Sequence, residues 1–320
     1  MSDKYKVLII GAGKIAALFD LPGSGKVLTH AHAVVENERL ELVGFTDVDY
    51  ERAKTATQIW GGQAFASLDE ALGQDVDIAV VTAPDEYHYE VLMQLVGYPL
   101  RVVLAEKPLA KSLANAMEIK RIYENNEIPV LVNYTRRFVP EFQSLKARLN
   151  QCEYGRLLAG NCYYGKGMLH NGSHLVDLLR FLFGEITGWS IFERINDFYD
   201  DDPSLSAVLK FDSGENLVLQ AVDCRAYSLF ELDLLFEKQR IRVVDSGFVI
   251  EEHQVVEDQI YSGYRRIRKG REFPAGLGDA MALAYDNIVQ YLDGTCELKC
   301  TLNDAYRAMT ICIGMQSEAL

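Results

Sequence analysis

Long hydrophobic runs are what this sequence most plainly lacks. No stretch approaches the roughly 20 apolar residues that a membrane-spanning helix needs, so no such span is expected. Cysteine is sparse, and none of Cys152, Cys162, Cys224, Cys296, Cys300 and Cys312 forms a C-x-x-C pair. Cys296 and Cys300 could share a helical face, but two thiols do not make a zinc site, so reduced thiols and no metal are expected. Basic residues number 32 against 46 acidic ones, a formal net charge of -14. Such a surface repels phosphate backbones, and a nucleic-acid partner is not expected; a small anionic substrate held by a local basic site remains compatible. The opening Met1-Ser2-Asp3-Lys4-Tyr5-Lys6 carries no signal-peptide pattern, which leads to the expectation of a cytoplasmic protein.

What is present is a globular composition, 49% hydrophobic, in a chain of 320 residues, long enough for two cores. The first part alternates apolar runs with helical patterns. Strands are expected at Tyr5–Ile10, Leu40–Thr46, Ile78–Thr82, Arg101–Glu106 and Ile128–Asn133. Ser67-Leu68-Asp69-Glu70 forms a capping box that starts one helix, and another runs from Ser112 to about Asn126. This β-α-β rhythm predicts a doubly wound parallel sheet, an α/β Rossmann-type domain over residues 1–134.

After Tyr134 the rhythm changes. Helices are expected at Glu141–Leu149, Ser173–Phe183, Asp279–Leu292 and Leu302–Glu318, the last capped by Thr301-Leu302-Asn303-Asp304. Strands are expected at Arg156–Tyr164, Thr187–Ile195, Ser204–Phe211, Asn216–Val222, Phe230–Phe236 and Ile241–Val244. Runs of strands predict an α+β domain with a large, mostly antiparallel sheet over residues 135–320, one face of which lacks helices and is available for self-association.

Gly11-Ala12-Gly13-Lys14-Ile15-Ala16 follows the first strand and fits G-x-G-x-x-G/A. Gly11 permits the tight turn, Gly13 lets the backbone approach a pyrophosphate, and Ala16 permits close helix–strand packing. A helix opening at Lys14 and Ile15 would offer its N–H groups to the phosphates. Asp47 ends the second strand, where a carboxylate can accept hydrogen bonds from ribose hydroxyls and repel a 2′-phosphate, favouring NAD over NADP. Asp49 competes for that role, and Asp47 is alternatively a solvated loop acid. Phe19 to Thr29 reads as an insertion that lengthens the spacing. Its Gly23-Ser24-Gly25-Lys26 fails as a phosphate loop, because Asp20 and Val27 stand where glycine and Ser or Thr are required. His30 and His32 are placed on an early helix near the surface.

These residues, together with Thr82-Ala83-Pro84 and His88, Glu106-Lys107-Pro108, Asn133-Tyr134-Thr135-Arg136-Arg137-Phe138 and Gly172-Ser173-His174-Leu175-Val176-Asp177, resemble the glucose-fructose oxidoreductase, inositol dehydrogenase and MocA-type oxidoreductases over nearly the whole chain. The resemblance implies that Thr82, Pro84 and His88 line the nicotinamide-ribose side of a cofactor cleft and that Glu106 and Lys107 stand where cofactor meets substrate. It implies that Lys107 stabilises the reacting oxygen, that His174 is the acid/base, and that Asp177 binds a substrate hydroxyl or orients the site. Read without it, Lys107 is an exposed strand-end lysine, and His174 and Asp177 are helix-start residues. Many members carry D-x-G-x-H-x-x-D, whereas this chain has His170 at the first position, so the carboxylate that would orient the histidine is missing there. His170, Asn171, Tyr164 and Arg137 are candidate substrate contacts; Tyr163 and Lys166 stand beside them. Arg136 and Arg137 either clamp a substrate anion or form structural ion pairs.

The expectation is thus an NAD-dependent oxidoreductase acting on a secondary alcohol or ketone of a sugar, cyclic polyol or nucleotide sugar, assembled as a homodimer or homotetramer, as the resemblance implies. The alternative is a catalytically silent dinucleotide-binding sensor or scaffold.

Overall fold

Near-continuous Val, Ile and Leu suits a strand covered on both faces, because no position on it can remain polar. In the computed structural model, which describes residues 4–319, those runs form a parallel sheet of β1 (Tyr5–Ile10), β2 (Leu40–Thr46), β3 (Gln63–Phe65), β4 (Ile78–Val81), β5 (Val102–Ala105) and β6 (Val130–Val132). The order is β3-β2-β1-β4-β5-β6. The order reverses between β1 and β4, and the carboxyl ends there are where open α/β sheets bind ligands. β4 and β5 are buried at every position.

The connecting helices are α1 (His30–Glu36), α2 (Tyr50–Trp60), α3 (Leu68–Leu72), α4 (His88–Leu95) and α5 (Leu113–Asn125). Thr29, Ser67 and Ser112 cap α1, α3 and α5, each side-chain oxygen accepting a backbone N–H three residues on. The short β3 was not among the expected strands. The glycine turn also does not open onto the expected α-helix: Lys14–Leu18 is a single π-helical turn, and α1 begins only at His30. Between them, Asp20 closes the loop. Its carboxylate accepts from Leu28 N at 2.6 Å and Thr29 Oγ1 at 2.6 Å, and His32 Nδ1 lies 2.8 Å from it. His30 and His32 are therefore not surface residues; both are buried, as polar groups can be once partnered.

Two compact units emerge. The first is the chain to Phe138 together with Gly278–Arg307; the second is Val139–Leu277 with the chain from Ala308. The division at 134/135 therefore leaves out a return segment, which carries α8 (Ala280–Leu292) and the start of α9 (Leu302–Glu318). Within the first unit Tyr5 Oη donates to Asp293 at 2.7 Å, and Val132 N donates to Cys300 O at 3.1 Å.

The second unit contains α6 (Pro140–Asn150), α7 (Ser173–Phe183) and an eight-stranded sheet. Its strands are β7 (Leu157–Tyr164), β8 (Ile186–Ile195), β9 (Ser204–Phe211), β10 (Asn216–Ala221), β11 (Phe230–Phe236), β12 (Gln239–Val244), β13 (Val249–Glu257) and β14 (Arg265–Pro274). They run in the order β14-β13-β12-β11-β7-β10-β9-β8, with β7 and β10 the parallel pair. β11 alternates strictly between buried and half-buried positions, as a sheet with one packed face requires. The other face carries charge pairs such as Arg240–Asp233 and Arg242–Glu251. β13 and β14 were not expected as strands. Residues 265–272 of β14 are all exposed, so no apolar alternation marks them.

Candidate functional site

Where the carboxyl ends of β1 and β4 meet, the backbone leaves no room for a side chain at Gly11. Gly11 has φ +94, and a Cβ there would lie 2.8 Å from the backbone of Thr82 and Ala83. Thr82 holds the other side of this contact, its hydroxyl 3.0 Å from Ile10 O and 2.9 Å from Gly11 O. A Cβ at Gly13, by contrast, would meet nothing within 4 Å. This is the surface a pyrophosphate could approach, and the cradle fits that group. Lys14 is exposed and Ile15 half-buried on the turn that follows.

Asp47 braces the same turn. Its Oδ2 accepts from Ala12 N at 2.7 Å and its Oδ1 from Asp49 N at 2.9 Å, so Asp49 supports Asp47. Arg52 Nη1 lies 3.8 Å from Asp47. Together with Gly11, Ala83, Pro84 and Tyr87, Asp47 lines a cleft of about 250 Å³. His88 sits behind this cleft. It is fully buried, with Nε2 2.8 Å from Ala83 O and Nδ1 2.6 Å from Pro108 O. Its ring spans the loops after β4 and β5, a bracing position that the motif alone did not indicate.

The loop after β5 carries Glu106 and Lys107, the latter joined to Pro108 by a cis peptide. Glu106 is largely buried, and burial would raise its pKa. The hydrogen bond and charge of His30, with the charge of Lys107 and the amide of Asn133, outweigh this and bring it down to about 2. Glu106 Oε1 is 3.0 Å from His30 Nε2 and 2.7 Å from Asn133 Nδ2; His30 Nδ1 is in turn 2.9 Å from Tyr285 Oη. His30, Asn133 and Tyr285 thus support the residue beside Lys107. Only the pairing of a buried histidine with a buried acid identifies them, and those partners are far apart in sequence. Of the two readings of Arg137, an ion pair is seen: it is buried, with Nη1 3.2 Å from Asp304 Oδ1. Arg136 is buried as well.

In the second unit the candidates lie on the connection from β7 to α7. Gly167–Gly172 forms a π-helical turn, entered through Lys166 in the left-handed region at φ +71. His174 is half-buried in the first turn of α7, and Asp177 is buried one turn on, 3.9 Å from Arg180. Asn171 Nδ2 donates to Gly165 O at 2.9 Å and so ties its own loop. Tyr164 does not fit the role of a substrate contact. It is fully buried; its hydroxyl accepts from Leu205 N at 2.7 Å and donates to Leu205 O at 2.9 Å. Strand parity decides this, since Tyr163 and Tyr164 must face opposite sides of β7.

His170 is not without a carboxylate. Asp202, on the β8–β9 connection, has Oδ2 2.7 Å from His170 Nδ1. Asp197 from the same connection accepts from Lys166 N at 2.5 Å and Ser204 Oγ at 3.0 Å. Neither acid was anticipated, being about thirty residues from the segment each holds. Among the described residues no cluster of three or more His, Cys, Asp or Glu side chains could hold a metal ion, and no helix is long and apolar enough to cross a membrane.

Comparison with known proteins places these features. Residues 5–134 match the model of the Gfo/Idh/MocA oxidoreductase family with NAD-binding Rossmann fold. The chain is 27% identical to a glucose-6-phosphate 3-dehydrogenase of Bacillus subtilis, over 56% of this chain and 53% of the relative. It is 29% identical to an inositol 2-dehydrogenase of Renibacterium salmoninarum, over 56% and 55%. It thus spans little more than half the length of these relatives. The WlbA dehydrogenase of Bordetella pertussis, solved with NADH and UDP-GlcNAcA, shares the fold at a TM-score of 0.80, with 18% identity, covering 99% of this chain and 96% of the other. In the glycine turn, the Glu-Lys-Pro loop and the matched segment, residues 5–134 are similar to the NAD-binding Rossmann fold of the Gfo/Idh/MocA oxidoreductase family.

Proposed function

We propose that the protein is an NAD-dependent dehydrogenase that moves a hydride between nicotinamide and a secondary alcohol or ketone of a sugar, cyclic polyol or nucleotide sugar. The observation that carries this reading is the pairing of Gly11, which has no room for a side chain, with Gly13, whose Cβ would face open space beside the Asp47 cleft. The substrate class follows the relatives' names, a sugar phosphate and inositol dehydrogenase, and the sugar-nucleotide complex of the WlbA enzyme.

Nicotinamide, when bound, supplies the hydride acceptor or donor. The chain's own residues bind and orient. Gly13 and the turn at Lys14 and Ile15 receive the pyrophosphate, and Asp47 accepts from the adenosine ribose, which favours NAD over NADP. Pro84 and Thr82 border the nicotinamide ribose. Lys107 holds the reacting oxygen and stabilises the negative charge that develops on it. Glu106, anchored by His30 and Asn133, sets the position of the loop that carries that lysine. His174 exchanges the proton of the substrate hydroxyl, and Asp177 orients the same helix start. The protein works as a homo-oligomer in the cytoplasm, associating through the open face of the second sheet; sedimentation as a monomer at micromolar concentration would refute that association.

The decisive experiment follows reduced-nicotinamide absorbance with NAD and a panel of sugars, inositols and nucleotide sugars, using Lys107→Ala as control. A signal that the control loses supports the dehydrogenase. Binding of NAD with no turnover across the panel favours the silent binder instead.

A further inference from the structure

Among the described residues that line the cleft beside Asp47, Arg52 is the only basic one. It stands in the first turn of α2, where the positive end of the helix dipole disfavours a cation. Two carboxylates hold it there. Its Nη1 lies 3.8 Å from Asp47 Oδ1 and its Nη2 3.8 Å from Asp49 Oδ2. Asp49 is the N-cap of α2, a position whose side chain commonly accepts a backbone N–H of the first turn. Here it makes no such bond, and its carboxylate turns to Arg52. The Asp47 side chain is 6% accessible and fixed by Ala12 N and Asp49 N, whereas Arg52 and Asp49 keep 46% and 54%. Asp49 is not itself among the residues that line the cleft, so its charge reaches a bound molecule through Arg52.

We propose that Arg52 and Asp49 join Asp47 in setting the choice between the two nicotinamide dinucleotides, with Arg52 the group a 2′-phosphate would need and Asp49 the positioning residue that keeps it occupied. This refines the NAD-dependent dehydrogenase reading and rests on it. A guanidinium is the side chain best shaped to grip a phosphate, with two N–H groups aimed in parallel. Between two carboxylates that fork is already taken, and the three groups together carry one net negative charge. A 2′-phosphate arriving at the ribose beside Asp47 meets that surplus, whereas ribose hydroxyls meet an acceptor. With the charge of Asp49 removed, the three groups are neutral and the Nη2 edge of Arg52 is released. Discrimination is thus shared by two acids, and the second of them acts only through the arginine.

Fluorescence titration of the full chain with NADH and with NADPH reads the ratio of the two affinities without any substrate. The wild type is expected to bind NADH more tightly. Asp49→Asn keeps the backbone N–H that donates to Asp47 and removes the charge; it is expected to shift the ratio towards NADPH by about tenfold. Arg52→Ala added to that variant is expected to cancel the shift. Arg52→Lys in its place is expected to keep part of it, since an ammonium retains the charge but not the fork. A change confined to the start of α2 would weaken both dinucleotides alike and leave the ratio where it was. An unmoved ratio in Asp49→Asn, or a shift that survives Arg52→Ala, overturns the proposal, as does a wild type that prefers NADPH. Tight NADH binding with an unmoved ratio sinks only the roles of Arg52 and Asp49. A wild type that binds neither dinucleotide overturns the dehydrogenase reading and this proposal with it.

Discussion

Lys107 is where the proposed chemistry concentrates. Replacing it with alanine removes the stabiliser of the developing oxyanion and should lower kcat by about 100-fold or more. NAD affinity should stay within a few-fold, because the glycine turn and Asp47 are untouched; fluorescence titration with NADH checks the second half. Asp47 should behave in the opposite way. Asp47→Ala frees Ala12 N, which now donates to the carboxylate, and removes the acceptor proposed for the ribose. NAD binding should weaken about tenfold or more, and the preference over NADP should shrink, as paired titrations would show. Several residues could not be placed from their own chemistry. Tyr164 differs from Tyr163 only by strand parity. His30 and His32 are buried because Glu106 and Asp20 meet them, and no local pattern announces such partners. The position of Lys107 just past the end of β5 was legible, because a motif and a strand end coincide.

At the scale of the element, the loops after β1, β4 and β5 behave as one braced assembly. Gly11→Ala would press a methyl into the Thr82 and Ala83 backbone at a φ that disfavours it. A loss of about 2 kcal/mol or more is expected, measured by urea unfolding, together with lost NAD binding. Glu106 gives the assembly a pH signature. Its folded pKa of about 2 lies below the ordinary 4.5. Its contribution is therefore fully present above about pH 4.5 and fades as pH falls towards 2. Glu106→Gln should flatten the wild-type loss of stability in that acid range, an effect on the order of a few kcal/mol, visible in melting curves from pH 6 downwards. Elements were legible where burial imposes a period. The helix at Ser173–Phe183 has leucines at regular spacing and a Gly184 stop. β14, with the sequence RRIRKGREFP, is exposed over nearly its full length and has no face to alternate against. β3 is three residues long and offers no period at all.

On the scale of the whole molecule, the first unit is discontinuous in sequence. Residues 278–307 return to it and complete hydrogen bonds that begin near the start of the chain, among them His30–Tyr285, Tyr5–Asp293 and Arg39–Asp293. A fragment ending at Phe138 should therefore unfold without cooperativity or melt well below the full chain, and adding residues 278–307 through a flexible linker should restore a sharp transition in circular dichroism. The change of rhythm after Tyr134 was legible, since apolar runs give way to alternation there. The return was not, because a helix such as Ala280–Leu292 carries no mark of which unit it will join.

The same return orders events during synthesis. Residues leave the ribosome from the amino end, so the first unit lacks Tyr285, the hydrogen-bond partner of His30, until most of the chain has emerged. Residues 139–277, with the whole eight-stranded sheet, are out before that. On the nascent chain a late segment, residues 278–307, closes the first-made unit.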